Sequence, residues 1–299
     1  MEIYFNRGTI LPVSSCLVCP SKQSHHCLTL QTPAGKIAYF QCSACSLIFK
    51  DPGVPFKAED IYNADYIQIR SQNPGNPNIS GPREKTAEHY MRWVEKYVTK
   101  QNLLDVGCAT GFALKVAQAQ GWNVFGVEVN AKAALIAKDV LKADVVRVGH
   151  LNDMMFPDEY FSLVTLFDVI EHIQDPVQFL SILRKKIAPG GSILLVTPNI
   201  DTLSFKILKE KWPHFVQEHL FLFSRKSMDR LLNETGFMTK KYGWATKYIS
   251  FEMLQSHSKN QPNPFYKPMS RLLGRIPFPA QTVFPFNLGD MFVLAEKIA

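Results

Sequence analysis

The stretch LLDVGCATG, residues 103–111, decides the fold. It begins as an apolar strand, passes through Asp105, and turns at Gly107 and Gly111 into a helical pattern. Glycine adopts positive φ without steric cost and lets a ligand approach the backbone closely. The stretch therefore predicts a ligand-binding turn at the carboxyl end of a buried strand, as in nucleotide-binding α/β sheets.

The same alternation of apolar strands and helices continues along the chain. The further strands are expected at 122–129, 144–149, 161–169, 192–197, 240–250 and 289–299. The helices are expected at 83–98, 111–120, 131–142, 176–187 and 224–237. Continuous apolar strands that alternate with helices form parallel sheets whose two faces are both covered. We therefore predict an α/β, Rossmann-like fold with a seven-stranded, mostly parallel sheet and helices on both faces.

Three blocks divide the chain. Residues 1–55 carry two cysteine pairs and are expected to form a small N-terminal module. Residues 56–82 form a connector, because their second half is a run of breaker residues without an apolar period. We expect it to contribute to the substrate cleft, which Tyr62 and Tyr66 could enter, although these two residues could equally pack against the core. Residues 83–299 form the α/β domain, which has a proline- and aromatic-rich insertion at about 256–287.

The composition is that of an ordinary globular protein, with 46% hydrophobic and 20% charged residues. No run approaches the ~18 apolar residues of a membrane-spanning helix, and the first residues lack a signal peptide. We therefore expect a cytoplasmic protein without a membrane span. The net charge is +7, but residues 56–240 carry 22 basic and 21 acidic groups. A basic stripe for nucleic acid would lie near the working centre, so the charge does not indicate a nucleic-acid partner.

A carboxylate follows the glycine turn at the distance expected of a ribose ligand. Glu128 stands at the end of the second strand, 17 residues after Gly111, where it can accept hydrogen bonds from both ribose hydroxyls. A dinucleotide-binding turn would read Gly-x-Gly-x-x-Gly. This chain has Ala109 and Phe112 where that pattern requires glycine, so two of the three glycines of a dinucleotide-binding turn are missing.

The turn resembles that of the class I S-adenosylmethionine (SAM) methyltransferases, which reads acid-x-Gly-x-Gly-x-Gly. Asp105, Gly107 and Gly111 match this motif, and Ala109 replaces its middle glycine. The segment 156–176 resembles the family's fourth-strand region, with Ser162 in place of the usual aspartate. Residues 188–199, APGGSILLVTPN, resemble its Pro-Gly-Gly turn and fifth strand. The resemblance covers roughly residues 83–240.

The resemblance implies SAM as cofactor and a set of binding positions. The turn would approach the methionine part, Glu128 the ribose, and His150-Leu151 the adenine. Asp105 would support the turn or the cofactor's amino group, and Asp168 would face the reactive end. An alternative for Asp168 is an acid stabilised by the dipole of the next helix. The residues at the family's cofactor positions are Asp105, Gly107, Cys108, Ala109, Gly111, Glu128, His150, Leu151 and Asp168.

Two cysteine pairs in the N-terminal module have the spacing of a metal site. Cys16 and Cys19 form one C-x-x-C turn, and Cys42 and Cys45 form a second one, with 22 residues between the two pairs. Two such turns can bring four thiolates into a tetrahedron around a structural zinc ion (Zn2+). The intervening segment 25–27, His-His-Cys, could supply a substitute ligand. The segment 39–53 also resembles the zinc ribbon that precedes the SAM domain in bacterial sugar and natural-product methyltransferases.

Methylation of an oxygen or carbon requires a proton acceptor, and an imidazole is suited to this task near neutral pH. We favour His219, which adjoins Glu218 and follows the fifth strand. Resemblance to sugar C-methyltransferases implies catalytic roles for His219, Glu218 and Asn199, although Val216 replaces the tyrosine of that pattern. His172 is the alternative base. His219 could instead be a core histidine bonded to a backbone carbonyl.

These features favour a SAM-dependent methyltransferase that acts on an oxygen or carbon of a small molecule. The resemblance to ribbon-bearing enzymes makes a nucleotide-linked sugar the leading acceptor, with the ribbon as one wall of the cleft. Two alternatives remain open. One is an RNA methyltransferase that uses the ribbon to bind RNA. The other is an inactive SAM-fold protein that serves as a scaffold for binding partners.

Overall fold

The computed structural model describes most of the chain. The described residues are 16–32, 35–51, 77–152, 154–253, 255, 279–287 and 289–298. The predicted connector therefore lies largely outside the described residues, as does most of the predicted insertion.

These residues form thirteen strands, six longer α-helices and a helical segment at 251–253. The strands are β1 (Ser24–Thr32), β2 (Gly35–Cys42), β3 (Ile48–Lys50), β4 (Asn102–Val106), β5 (Asn123–Glu128), β6 (Val146–Val148), β7 (Phe161–Phe167), β8 (Ile187–Pro198), β9 (Phe221–Leu222), β10 (Phe237–Trp244), β11 (Lys247–Ser250), β12 (Val283–Phe286) and β13 (Asp290–Lys297). The helices are α1 (Pro77–Val94), α2 (Phe112–Ala119), α3 (Ala131–Leu141), α4 (Pro176–Lys186), α5 (Leu203–Leu208) and α6 (Arg225–Glu234). A short 3₁₀ turn, Ile170–His172, follows β7.

The central sheet has seven strands in the order β10-β13-β8-β7-β4-β5-β6. The five strands from β8 to β6 are parallel, whereas β13 runs antiparallel to both β8 and β10. The sequence prediction of a seven-stranded, mostly parallel sheet is confirmed. Parallel strands align their carboxyl ends along one edge, so the residues that follow β4, β5, β7 and β8 are brought together there.

Alternate residues of the central strands face opposite sides of this sheet. Leu103 packs with the helices α1, α2 and α3, whereas its neighbour Leu104 packs with α4 and α6. Leu163 and Val164 on β7 divide in the same way. Because both faces are covered by helices, the strands read as continuous apolar runs, and the predicted pattern of helices on both faces is confirmed.

The helix caps follow the sequence closely. The Asp175 side chain accepts a hydrogen bond from the Gln178 amide at 2.9 Å at the start of α4, as its position before Pro176 predicts. Gly236 follows α6 with φ 77°, as expected of a helix-ending glycine. These caps fix where α4 and α6 begin and end against the sheet.

Several boundaries differ from the prediction; β8, for example, begins at Ile187, before the predicted strand 192–197. Helix α1 begins at Pro77, inside the stretch we expected to be connector, and it carries Pro82 within its length. The segment predicted as one strand, 240–250, is divided into β10 and β11, which belong to different sheets. β12 lies within the predicted insertion and pairs with β11. The start of α1 is helical despite its breaker residues, because packing of α1 against α2 and β11 outweighs their low helix propensity.

The N-terminal residues form a second, four-stranded sheet in the order β1-β2-β3-β9. Its fourth strand comes from the α/β part of the chain: Ile48 pairs with Leu222 and Phe49 with Phe221. The sheet continues into the α/β core, since Leu47 and Phe49 belong to the same cluster as residues of β7 and β8. The N-terminal sheet is thus completed by the domain on which it packs.

Candidate cofactor and active site

The glycine turn after β4 is held in the left-handed conformation at three residues. Gly107 has φ 76°, Ala109 φ 47° and Gly111 φ 82°. A β-carbon on Gly107 would lie 2.7 Å from Val169 Cγ2, and one on Gly111 would lie 3.1 Å from Ala137 Cβ. Both glycines are therefore required by the protein's own packing. Ala109 has a left-handed φ like the glycines on either side of it, so the turn forms with alanine at this position.

Glu128 connects this turn to the end of β5. Its Oε2 accepts a hydrogen bond from the Ala109 amide at 2.8 Å, and its Oε1 accepts one from the Asn130 amide at 2.8 Å. Burial raises the pKa of Glu128, and the hydrogen bonds from the backbone amides oppose that shift. Each carboxylate oxygen has a second lone pair, so Glu128 can also accept from two ribose hydroxyls.

Asp105 lies within the sheet rather than in the turn. It is buried, and its Oδ1 accepts a hydrogen bond from Thr165 Oγ1 on the neighbouring strand β7 at 2.7 Å. Burial raises the pKa of Asp105 to about 7, and the charge of Glu128 adds to that shift. Asp105 therefore joins β4 to β7 beneath the turn, which fits the supporting role expected of it.

The structure adds Thr110 to the residues of the turn. Its hydroxyl is buried, and within the described residues it has no hydrogen-bond partner. A buried hydroxyl without a partner costs free energy, which a ligand's polar group can recover. Thr110 lies within the stretch LLDVGCATG, so its position in the turn could be seen in the sequence. The left-handed turn, Glu128 and Thr110 together fit an adenosine-containing cofactor.

His150 and Leu151 follow β6 at the same edge of the sheet as Glu128. The Gly149 amide donates a hydrogen bond to the Glu128 carbonyl at 2.9 Å, which places the two segments side by side. Leu151 is buried and His150 is exposed. An apolar side chain beside the carboxylate suits the border of an adenine site. Cys108 is buried within the turn, and its sulfur packs below Gly126.

Asp168 follows β7 and is paired with a lysine that sequence reasoning missed. Lys247 Nζ on β11 donates to both carboxylate oxygens of Asp168, at 2.9 and 3.0 Å, and lies 3.4 Å from Asp290 Oδ1. Desolvation raises the pKa of Asp168, but the Lys247 ammonium outweighs it and holds that pKa below its usual value. Asp168, Lys247 and Asp290 could not be predicted as a group from the sequence, because only the pairing of distant strands brings them together.

Two histidines come together at the carboxyl edge of the sheet. The rings of His172 and His219 are 4.8 Å apart, and His214 stacks 6.1 Å from His219. The Nδ1 of His172 is 2.8 Å from the Glu218 carbonyl, and that of His219 is 2.7 Å from the His214 carbonyl. A carbonyl can only accept, so each Nδ1 carries the proton, and each neutral ring then has its lone pair on Nε2.

Glu171 extends this cluster into the core. It is fully buried, its Oε2 accepts from Thr197 Oγ1 at 3.0 Å, and its Oε1 has no partner within the described residues. Burial raises the pKa of Glu171 well above its usual value. The potential ligand atoms of Glu171, His172 and His219 lie within 4.8 Å of one another.

The other two predicted catalytic residues lie nearby but are used differently. Asn199 follows β8 and is buried, and its Oδ1 accepts from the Asp201 amide at 2.9 Å. Glu218 meets His172 through its backbone carbonyl, and its carboxylate charge acts on Lys50 and Tyr39 of the N-terminal sheet. The structure thus brings Glu218 beside both histidines, whereas the Asn199 carboxamide oxygen stabilises a turn.

The four predicted metal ligands lie in one buried cluster. Cys16 Sγ is 3.6 Å from Cys45 Sγ, and Cys19 Sγ is 3.5 Å from Cys42 Sγ. Sulfurs bound tetrahedrally at about 2.3 Å from zinc lie about 3.8 Å apart, so these thiols need to move little to hold the ion. The hydrogen bond between the Cys16 and Cys45 thiols lowers the pKa of Cys16 and raises that of Cys45, as expected of a pair that shares one proton. The cluster does not include residues of the 25–27 segment.

Comparison with known proteins identifies the α/β part. Residues 82–240, just over half of the chain, match the family model described as "Methyltransferase domain". The ubiquinone biosynthesis O-methyltransferase of Rickettsia akari is 30% identical over 119 residues, which cover 39% of this chain and 46% of that protein. The chain spans about half the length of the curated relatives it matches first.

Two solved structures share the fold. A SAM-dependent methyltransferase from Archaeoglobus fulgidus superposes with a TM-score of 0.51 at 18% identity, covering 78% of this chain and 99% of that one. The magnesium protoporphyrin IX methyltransferase of Synechocystis PCC 6803 with bound SAH gives a TM-score of 0.51 at 14% identity, covering 80% and 98%. None of the described helices is both long and apolar enough to span a membrane.

Proposed function

Residues 82–240 make this chain a member of the class I SAM-dependent methyltransferase family, and from this premise we propose that it methylates an oxygen or carbon atom of a small molecule. Bound SAM supplies an electrophilic methyl group. The protein must then align the acceptor and remove its proton. The observation that carries this proposal is the pair of histidines, His172 and His219, at the edge where the cofactor turn also ends.

The cofactor half of the proposal rests on the turn and on Glu128. Glu128 is held by two backbone amides, so its orientation is fixed before any ligand binds. We propose that its carboxylate accepts from the ribose hydroxyls, that Thr110 meets a polar group of the cofactor, and that Leu151 borders the adenine. Asp168 is proposed to face the reactive end, where its bond to Lys247 sets the position of its carboxylate.

We propose that His219 removes the proton of the methyl acceptor. Its Nδ1–H bond to the His214 carbonyl fixes the ring and its tautomer. The proton of the methyl acceptor would pass to His219 Nε2 as that molecule forms its bond to the methyl group. The methyl–sulfur bond would break in the same step, and its electron pair would stay on the sulfur of the departing thioether. The resulting imidazolium would keep its Nδ1–H bond. His172 has the same tautomer by the same argument and is the alternative proton acceptor.

The N-terminal residues 1–55 are proposed to be a structural zinc ribbon held by Cys16, Cys19, Cys42 and Cys45. Their sulfur spacing and burial support this proposal. A four-thiolate site has no open coordination position, so its contribution would be structural. Residues 56–82 are proposed to border the substrate cleft of the 83–299 domain. The proposed acceptor class is a nucleotide-linked sugar, on the resemblance of the ribbon and of the Glu218–His219 pair.

Substitution of His219 tests the catalytic half of this proposal. His219→Ala is expected to slow methyl transfer by about 10²- to 10⁴-fold, the usual contribution of a positioned base, while SAM affinity stays within about twofold. Turnover is measured with a panel of small hydroxylated and keto acceptors, and SAM affinity by calorimetry. The exposed His25→Ala on β1, outside the cysteine cluster, serves as the histidine control for turnover.

Three other outcomes would support a different base or a different function. A normal kcat in His219→Ala together with a large loss in His172→Ala would transfer the role to His172. SAM binding without turnover of any acceptor by the wild type would support the scaffold alternative. Methylation of RNA rather than of any small molecule would support the other alternative.

A further inference from the structure

The segment between α5 and β9 carries the proposed proton acceptor but has little structure of its own. Its backbone closes successive tight turns: the Val216 amide donates to the His214 carbonyl at 3.0 Å, and the His219 amide donates to the Val216 carbonyl at 3.1 Å. A base must be held within about half an ångström of its productive position. A run of isolated turns cannot provide this alone, so the segment depends on what packs against it.

The N-terminal sheet supplies that support through one side chain. Tyr39 on β2 is fully buried, and the single proton of its hydroxyl is shared between the Val216 carbonyl at 3.0 Å and the His219 carbonyl at 3.2 Å. Tyr39 is distant in sequence from both acceptors, and its ring packs edge-on against Phe215 at 5.4 Å. Burial raises the pKa of Tyr39, so the hydroxyl stays protonated as a donor.

The segment is also held on its far side. The Lys50 amide on β3 donates to the Leu220 carbonyl at 2.9 Å, and the Leu220 amide donates to the Glu171 carbonyl at 2.8 Å. The backbone at His219 is therefore fixed between Tyr39, β3 and the turn that carries His172. Because the His219 ring bonds the His214 carbonyl within the same segment, ring orientation follows backbone position.

We propose that Tyr39 is a positioning residue for His219, and that the N-terminal sheet is thereby part of the catalytic unit. This inference rests on the proposed function, since it takes His219 as the proton acceptor. Tyr39 acts through the backbone carbonyls of the segment and has no need to contact the acceptor. The rate of methyl transfer in the α/β domain would then depend on whether the N-terminal sheet is folded.

Tyr39→Phe keeps the ring and removes only the hydroxyl. We expect kcat to fall about 10- to 100-fold, the loss that follows a displacement of about 1 Å, with SAM affinity within about twofold. The matched control is Tyr242→Phe, which also removes a hydroxyl with two acceptors, Asp229 Oδ1 and the Arg225 carbonyl, away from the histidines. An equal fall in both variants would indicate a general loss of stability and overturn the proposal.

Nitrogen NMR of the histidine rings provides a readout independent of turnover. In the wild type His219 should show the neutral Nδ1–H tautomer, and Tyr39→Phe should shift or broaden its ring signals while those of exposed His150 stay unchanged. Unchanged His219 signals together with an unchanged kcat would overturn the proposal. Phe215→Leu, which loosens the same ring without removing the hydroxyl, should change both measurements in the same direction if Tyr39→Phe does not fold.

A double variant separates this inference from the proposed function. If Tyr39 acts through His219, Tyr39→Phe should cost almost nothing further in turnover when added to His219→Ala. Additive losses would contradict the positioning role. A normal kcat in His219→Ala alone would refute the base, whereas the ring signals in Tyr39→Phe would still report whether Tyr39 positions His219.

Discussion

Glu128 is the residue on which cofactor recognition depends most. Its two oxygens already bind the Ala109 and Asn130 amides, so removing the side chain takes acceptors from the turn as well as from the ribose. Charge-assisted hydrogen bonds contribute about 1.5–3 kcal/mol each, so Glu128→Ala should weaken SAM binding by at least about 10²-fold. Calorimetry measures this affinity directly.

The control for this variant is Glu159→Ala. Glu159 is an exposed glutamate that precedes β7, at the opposite edge of the sheet, and its carboxylate pairs with Lys297 at 3.2 Å. SAM affinity should be unchanged in Glu159→Ala. Wild-type affinity in Glu128→Ala would remove that residue from the ribose site.

Asp105 predicts how stability changes with pH. The folded protein holds the proton of Asp105 up to about pH 7, whereas the unfolded chain releases it near pH 3.8. Between these values the folded state binds more protons, so ionisation of Asp105 lowers the free energy of unfolding as pH rises. The asparagine in Asp105→Asn cannot ionise, so the free energy of unfolding of this variant does not fall with pH for this reason.

The Asp105→Asn variant should therefore gain stability relative to the wild type by about 2 kcal/mol between pH 5 and pH 7. Urea unfolding of both proteins without cofactor at the two pH values measures the difference. Other buried acids, such as Glu171, titrate in both proteins, so their contributions cancel in the difference between the two free energies of unfolding. A difference that stays constant with pH would show that Asp105 has an ordinary pKa.

At the scale of elements, the sequence predicted what local patterning controls. Apolar periodicity predicted the strands β4, β5 and β7 and the helices α2, α3 and α4 at the positions where they lie. This was possible because the apolar residues of each element are close together in the sequence. The glycine turn and Glu128 could be found for the same reason, since both directly follow predicted strands. The glycine turn and Glu128 are close in sequence, and the geometry of a βα unit determines their relative position.

Pairings between distant segments could not be predicted. β9 is two residues long, too short for any periodic signal, and it forms only because β3 offers it an edge. The bond between Lys247 and Asp168 joins residues 79 positions apart through β11. Tyr39 has an ordinary strand environment in the sequence, and its bond to the His219 carbonyl depends on how two sheets meet.

For the whole molecule, the two sheets share one core, and the four-cysteine cluster belongs to it. Its members pack among residues such as Leu220, Phe223 and Met228, and the Cys45 carbonyl accepts from Ser224 Oγ at 3.3 Å, at the start of α6. Loss of order in the cysteine cluster should therefore reach the α/β domain. Small sheets with few core residues commonly depend on a bound metal for their stability.

We therefore expect about one zinc ion per chain, and chelation should unfold the N-terminal sheet and expose β9. Elemental analysis measures the zinc, and hydrogen exchange should show lost protection at Phe49 and Phe221, which pair across the two parts, while Leu104 on β4 stays protected. Cys42→Ser should reproduce the effect of chelation, and Cys27→Ser is the control, because Cys27 lies outside the cluster. If Phe221 stays protected while Phe49 exchanges, the two sheets unfold independently, and the N-terminal sheet does not support the segment that carries His219.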